Sequence, residues 1–463
     1  MSYSTIARCG TTLLILVVLF GPSFAQMGMF FDGITYAGIA RQLSLGMGAV
    51  WSPYYSPYLY PEFFCHLPVW LGWQSFFFLV LGDAWWVDNV FQTVNLVLTL
   101  AAMYWLWIEI WRLQPLKIRP NFHVIIWLWL TVPIVLWTYK NNLLEVGVSY
   151  FALMAVSASF KAMSGQSKWS LLAWSVVAAF MTLGALGAKG VVGLFPLAIG
   201  LVWLIFYKER RGRAWMFSFL ILFFFLLFLG TLFWFVPEAL YNARQHLNTQ
   251  LFPALRGEME ITTVWRGKIL FDGLLEILPV ILLTACVSWR RSFIWTSSQK
   301  QIFWSLVVIG LLASLPLCLS LKQRKFYLIP SIPYFVMAAS VFWCNIKPFE
   351  HISRNTFVKL KWAWFAGLVG SMMFLGSMYG GVSRDEAKWE VAMRASKAFT
   401  PGTVFLVSPY LANDYTLIAC FVRVGSMYIS DNPSSLMTHE IRAVQVDDSI
   451  QYVIAPLSPN EIR

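Results

Sequence analysis

Charge is what this sequence has little of. Charged side chains make up 12% of its 463 residues, about half of what a soluble domain carries. Carboxylates are scarcest, with 22 Asp and Glu against 34 Lys and Arg. Ligand-forming side chains are also few. There are five histidines and six cysteines, with no CxxC pair and no His/Cys spacing of the zinc-binding kind. Cys9, Cys65, Cys286, Cys318, Cys344 and Cys420 mostly lie in or beside apolar runs, where the thiol is a small hydrophobe. No disulfide framework is implied. A Walker loop, a GxGxxG turn after a strand and an HExxH pair are all missing, so the usual signatures of nucleotide binding and zinc proteolysis are absent. Internal repeats and low-complexity linkers are missing too.

What is present is apolar. Hydrophobic residues make up 59%, and the mean hydropathy is +0.65. Long apolar stretches recur along most of the chain, and a bilayer-spanning helix needs roughly 20 such residues. The sequence therefore predicts an all-α polytopic membrane protein with about 11 transmembrane helices. Their expected limits are 11–31, 88–111, 124–139, 143–161, 169–187, 190–207, 214–236, 269–288, 302–321, 326–344 and 362–380. In such a chain a net charge of +12 marks cytoplasmic loops and contacts with anionic membrane lipids, not nucleic acid. Arg8, the run LLILVVLF and then GPSFAQ imitate a cleavable signal. Because apolar character continues to Phe31, we read an uncleaved first helix.

Sidedness follows from the basic loops. With 67–81 (LPVWLGWQSFFFLVL) taken as a juxtamembrane helix, five loops fall on the N-terminal side. They carry Arg112/Lys117/Arg119, Lys161/Lys168, Lys208/Arg210/Arg211/Arg213, Arg290/Arg291/Lys300 and Lys347/Arg354/Lys359/Lys361. That side is then cytoplasmic. The outer side carries the loop 32–87, the turns YKNNLLE (139–145), GAKG (187–190) and LKQRK (321–325), the loop 237–268, and the chain after Gly380. Residues 1–380 are expected to form the membrane domain. Residues 381–463 alternate helix-like and strand-like stretches (DEAKWEVAMRASKAF, TVFLVS, NDYTLIACFV, SMYIS, QYVIAP) and read as a small soluble α/β module.

The ionisable residues on the outer side are the candidates for chemistry. Asp32 opens FDGITYAGIARQL, in which Tyr36, Ile39, Ala40 and Leu43 repeat with helical spacing. It is either a polar helix end or a general base beside a helix N-terminus. Glu62 and His66 lie in the aromatic loop WSPYYSPYLYPEFFCHLPVW, where either a structural or a cavity-lining role fits. Asn141, Asn142 and Glu145 sit at the start of a span. Glu145 is inside an apolar run, where an ionisable group is costly and usually functional. Lys189, Lys322, Arg324 and Lys325 lie at outer helix ends, placed to snorkel to headgroups or to bind a phosphate. Arg244, His246 and Arg256 read as solvated or acceptor-facing.

The order of these elements resembles the polyprenyl-phosphate-sugar-dependent glycosyltransferases of the GT-C fold, close to the lipid A aminoarabinose transferases and protein O-mannosyltransferases. Asp32 of FDGITY matches the family's catalytic aspartate, although Gly33 stands where relatives usually show a second acid. CHLPVW at 65–70 is similar to an EHPPL-type element, with departures at Cys65 and Leu67. NNLLE, AKGVVGLFPLA and LKQRKFYLIPSIPY match the outer acidic turn, the lysine turn and the basic turn that meets the lipid phosphate. The resemblance implies catalytic roles for Asp32, Glu145 and His66. It implies donor-phosphate binding by Lys189, Lys322, Arg324 and Lys325. We add an acceptor cavity near Tyr36, Glu62, Asn141, Asn142 and Arg256. The implied donor is a sugar on undecaprenyl phosphate or a similar carrier, and the acceptor is a lipid, glycan or protein hydroxyl. The implied setting is the outer face of the bacterial inner membrane. No cofactor is called for with certainty. Some relatives use a divalent metal, and no ligand set here demands one. The alternatives are a transporter or flippase of lipid-linked sugars, or a polysaccharide polymerase or ligase. The missing repeats and the gathering of polar residues at one face favour an enzyme.

Overall fold

The structure, a computed structural model, describes residues 2–113, 120–289, 295–344, 346, 348–350, 352–434, 437–446 and 449–457. The basic loop residues Lys117, Arg119, Arg290, Arg291 and Lys347 lie outside the described residues. Seven helices are long and apolar enough to cross a membrane: Tyr3–Ala25, Val87–Leu113, Glu145–Ser164, Lys168–Lys189, Lys208–Phe235, Ser297–Leu319 and Arg354–Met378. Two further expected spans are bent pairs. Phe122–Leu130 turns by 81° into Pro133–Lys140, and Lys268–Glu276 turns by 51° into Leu278–Trp289.

Proline explains the first bend. Pro133 has no N–H to continue the ladder and opens a new helix instead. Glu276 Oε2 then accepts the buried Ile134 N–H, left without a helical partner, at 3.0 Å. The last two expected spans, 190–207 and 326–344, appear only as shorter helices, Val191–Phe206 and Ile332–Trp343. Gly190 ends the helix Lys168–Lys189, and the first of these segments then opens as a 3-10 stretch containing Pro196. By length, then, seven to nine spans stand among the described residues where about eleven were expected. Segment 67–81 forms the helix Val69–Leu81, whose 13 residues fall well short of a span.

Glu145–Ser164 runs through the centre, packed between Lys168–Lys189 and Val87–Leu113. Its serines turn their hydroxyls back onto the helix, as in Ser157 Oγ donating to Leu153 O at 2.7 Å. Ser157 and Ser159 thus cross the apolar core with their donors met, whereas the buried Ser149 hydroxyl has no partner among the described residues.

The C-terminal module has a four-stranded sheet in the order Tyr428–Ser430, Val404–Val407, His439–Val446, Ser449–Pro456. The first two strands are parallel, with Val404 opposite Tyr428, and the helix Tyr415–Gly425 crosses between them. His439–Val446 is parallel to Val404–Val407 and closes an antiparallel hairpin with Ser449–Pro456. The sequence reading missed His439–Val446 because its charged side chains hid the strand pattern. The helix Tyr415–Gly425 packs directly on the helix Phe31–Ser44, which carries Asp32.

Candidate active site

Asp32 stands in the first turn of Phe31–Ser44. That turn is held from the side by the Asn141–Asn142 turn. Asn141 Oδ1 accepts the Phe30 N–H at 2.6 Å, and Asn142 Nδ2 donates to Gly33 O at 3.1 Å. Asn142 takes a left-handed φ of 52°, which asparagine tolerates better than most residues. The approach is so close that a Cβ at Gly33 would lie 2.0 Å from the Asn141 carbonyl oxygen. The glycine that breaks the family pattern therefore has a local cause: the backbone of the neighbouring turn occupies the space a side chain needs. Asn141 and Asn142 are buried, and their side chains dock the Asp32 helix.

Burial pushes the Asp32 carboxyl up from 3.8 to about 6. The charge of Lys189 opposes this, Glu145 adds to it, and Lys322 and Arg324 oppose it more weakly. Four charged groups from three parts of the chain thus act on Asp32. Glu145 is buried and ion-paired with Lys189, their side chains 3% and 12% exposed. Glu145 Oε2 is buried with no partner. Lys189 ends its helix, where a cation suits the dipole. Its ammonium lies 4.3 Å from the Tyr327 ring centroid and 5.4 Å from that of Phe326. Gly190 then turns the chain at φ 92°, and the His246 ring fills the space a side chain would take, 2.6 Å from an added Cβ.

His66 Nε2 is hydrogen-bonded to the Tyr36 hydroxyl at 3.0 Å. Burial holds the imidazole well below its usual pKa, and the charges of Lys189, His246 and Lys322 lower it further. It is neutral at neutral pH and can take one proton role through either ring nitrogen. The His246 ring lies 6.5 Å away, and its Nδ1 is 3.2 Å from Phe64 O. His246 is buried, which corrects the expectation of a solvated residue.

The basic turn divides by partner. Arg324 pairs with Glu260 at 2.7 Å, both about half exposed. Lys325 pairs with Glu276 at 3.0 Å, the same carboxylate that caps Ile134. Lys322 is half-buried, and among the described residues its ammonium has no ion pair. Glu62 is exposed. Arg256 is 68% exposed and pairs with Glu258 at 3.8 Å. The structure ties neither Glu62 nor Arg256 to the Asp32 cluster.

No protein-family model matches this sequence, and no curated protein matches it at the sequence level. Solved structures do. ArnT from Cupriavidus metallidurans in the apo state superposes with a TM-score of 0.59 at 14% identity, over 90% of this chain and 84% of that one. The same protein bound to undecaprenyl phosphate gives 0.58 at 13%, over 90% and 85%. The archaeal oligosaccharyltransferase AglB from Archaeoglobus fulgidus, in complex with an inhibitory peptide and a dolichol-phosphate, gives 0.51 at 10%, over 90% and 64%. The chain has the GT-C fold.

Within this GT-C fold the donor set does not suit a divalent cation. Hard cations want several oxygen ligands, whereas here the Glu145 carboxylate is neutralised by the Lys189 ammonium. Among the described residues no group of three or more His, Cys, Asp or Glu converges. Sequence reasoning assigned no role to Phe326 and Tyr327, whose rings both lie beside the lysine ammonium. It also missed Tyr415, whose ring lies 6.5 Å from Phe31, because nothing in the spacing links residues so far apart.

Proposed function

We propose that the protein is an integral membrane glycosyltransferase that moves a sugar from a polyprenyl-phosphate donor to a hydroxyl on a lipid, glycan or protein. The reaction takes place at the extracytoplasmic face of the bacterial inner membrane. The observation that carries this reading is the meeting, on a GT-C fold, of an acid with a raised pKa and a lysine, Lys322, that has no ion pair among the described residues. That ArnT has been solved with undecaprenyl phosphate and AglB with a dolichol-phosphate supports a lipid-phosphate donor.

The chemistry is a single displacement. Ionised Asp32 accepts the proton of the acceptor hydroxyl as its oxygen bonds to the anomeric carbon. The bond from that carbon to the phosphate oxygen breaks, and the lipid phosphate leaves with one more negative charge. Lys322 meets that charge, with Lys189 and Arg324 adding their field. One displacement inverts the anomeric carbon. Glu145 holds Lys189 in place and offers Oε2 to a donor or acceptor hydroxyl. Tyr36 and His66, hydrogen-bonded to each other, lie beside the same charged cluster, and the loop 237–268 with the C-terminal module shapes the acceptor side.

Mass spectrometry of cell-envelope glycolipids and glycoproteins, with parent protein, with Asp32→Asn and with no protein, tests this. The expected result is a sugar adduct seen only with the parent. An adduct formed equally by Asp32→Asn protein would end the assignment of the base.

A further inference from the structure

The C-terminal helix Tyr415–Gly425 carries Arg423, whose side chain is 4% exposed. Its guanidinium reaches out of the module. Nε donates to Asp88 Oδ2 at 2.8 Å, Nη1 to Asp83 Oδ1 at 3.3 Å and Nη2 to Ala84 O at 3.2 Å, with the Phe78 ring centroid 4.8 Å from the guanidinium carbon. Asp88 Oδ1 accepts from Gln74 Nε2 at 3.1 Å, and Gln74 Oε1 accepts from Asn142 Nδ2 at 3.2 Å. The same Asn142 amide donates to Gly33 O, next to Asp32. Arg423, Asp88, Gln74 and Asn142 are all buried. Asn142 uses both N–H bonds in this chain, one on each side, so the amide orientations are mutually fixed.

The far end of the Asp32 helix is tied to the same module. Arg41 Nη1 donates to Ser426 Oγ at 2.6 Å, and the Tyr428 hydroxyl to Gln42 Oε1 at 3.2 Å. Asp83 accepts from both Arg41 and Arg423.

We infer that Arg423 is a positioning residue for Asp32, acting through a buried hydrogen-bond relay that runs Arg423–Asp88–Gln74–Asn142–Gly33. The extramembrane module is then part of the reaction centre and not an appendage. It sets how deeply the first turn of Phe31–Ser44 is held against the Asn141–Asn142 turn. Every link crosses between chain segments, so cutting one frees the Asp32 helix without removing a group that faces substrate. A planar fork is needed to meet Asp88, Asp83 and Ala84 together, and a lysine ammonium cannot supply it. The inference rests on the proposed function only for what Asp32 does. The relay itself is testable with no substrate.

The test reads Asp32 directly. Full-length protein in detergent is treated with a carbodiimide and an amine, which modify protonated carboxyls, and the Asp32 peptide is followed by mass spectrometry from pH 4 to 8. The groups facing Asp32 are Lys189, Glu145, Lys322 and Arg324, and all are retained in the variants. Gln74→Met cuts the relay at a neutral link and leaves the Arg423–Asp88 pair intact. Arg423→Gln and Arg423→Lys cut it at the module. Arg394→Gln removes a bond of that module to Tyr452 O that has no connection to the relay. The expected result is a labelling midpoint about one pH unit lower in Gln74→Met and both Arg423 variants, as water reaches a loosened helix end, with Arg394→Gln at the parent midpoint. Where a transfer assay is in hand, the relay variants are expected to lose kcat about 10- to 100-fold with KM held. A Gln74→Met protein with the parent's midpoint would overturn the inference, including in the case where the Arg423 variants fail to fold. Loss of transfer by Asp32→Asn bears on the proposed function alone.

Discussion

Gly33→Ala puts one methyl group where the structure has no room. The added carbon would lie 2.0 Å from Asn141 O, and relief even to 3.0 Å requires a displacement of about 1 Å. The obstacle is backbone, so the Asp32 helix must move as a unit. Overpacking of this kind costs about 1–3 kcal/mol, and the bond from Asn142 to Gly33 O is worth about 1 kcal/mol more. Against this, alanine gains up to about 1 kcal/mol over glycine in a helix. The clash outweighs the gain, and the net expectation is a loss of about 1–3 kcal/mol. Moving a reacting group by about 1 Å also costs up to 100-fold in rate. Gly72 is the control: it lies in the helix Val69–Leu81, and an added Cβ there meets nothing within 4 Å. Thermal unfolding of Gly33→Ala and Gly72→Ala in detergent, followed by envelope-glycan mass spectrometry, compares the two. Gly72→Ala is expected to match or exceed the parent in both measurements. If Gly33→Ala were as stable and as active as Gly72→Ala, the docking of the Asp32 helix on Asn141 would not be the constraint argued here.

Asp32 gives two linked expectations. As a base it must be ionised, so transfer should rise with pH through about 6 and then level off. A carboxyl raised from 3.8 to about 6 favours folding below the lower value and loses that contribution as pH climbs through the upper one, a difference of up to about 3 kcal/mol. Asp32→Asn should therefore unfold at higher temperature than the parent at pH 8, with the gap closing toward pH 4; a parent that is the more stable at pH 8 would contradict this. Lys322→Ala should weaken retention of undecaprenyl phosphate in native mass spectrometry about 10-fold or more, while Lys325→Ala, which frees Glu276, should mainly lower the unfolding temperature. Equal lipid retention by both would remove the distinction drawn between them. Glu145→Gln leaves Lys189 buried without its counter-charge and should destabilise by about 3–5 kcal/mol, read by thermal unfolding.

The apolar runs predicted the membrane helices well because burial in lipid is a local demand that each segment meets with its own composition. Helix breaks were harder to read. Pro133 was visible, but an 81° bend depends on Glu276 arriving from 142 residues away to accept the freed Ile134 N–H. The shortened segments after Gly190 and before Cys344 failed for the same reason: 3-10 turns there are set by neighbours, among them His246, and not by apolar content. In the site, Asp32, Glu145, Lys189 and Lys322 could be singled out because an ionisable residue at an apolar boundary is rare. Arg423, Gln74 and Asn142 could not be ordered into a relay, since each pairs with a group far off in sequence. The docking of the Asp32 helix by Asn141 and Asn142 was not legible either, since their partners Phe30 and Gly33 lie more than a hundred residues away.

In the proposed reaction, charge conservation explains how one base and few cations would be enough. At rest above pH 6 the centre holds two carboxylates, Asp32 and Glu145, and two ammonium groups, Lys189 and Lys322, while the Arg324 charge is matched by Glu260. A sugar phosphodiester brings one negative charge. In the proposed displacement Asp32 loses its charge to the incoming proton while the departing phosphate gains one. The sum does not change; the negative charge moves from the helix end to the lipid phosphate. Lys189 and Lys322 already bias Asp32 toward ionisation. As Asp32 is neutralised, the same field acts on the phosphate with no rearrangement of side chains. In that proposal Lys322, whose charge already acts on Asp32, serves the ground state and the transition state in turn. In the proposed displacement that transfer requires Asp32 to keep its place relative to Lys322, and the Asp32 side of that spacing is where the close packing at Gly33 and the inferred relay act.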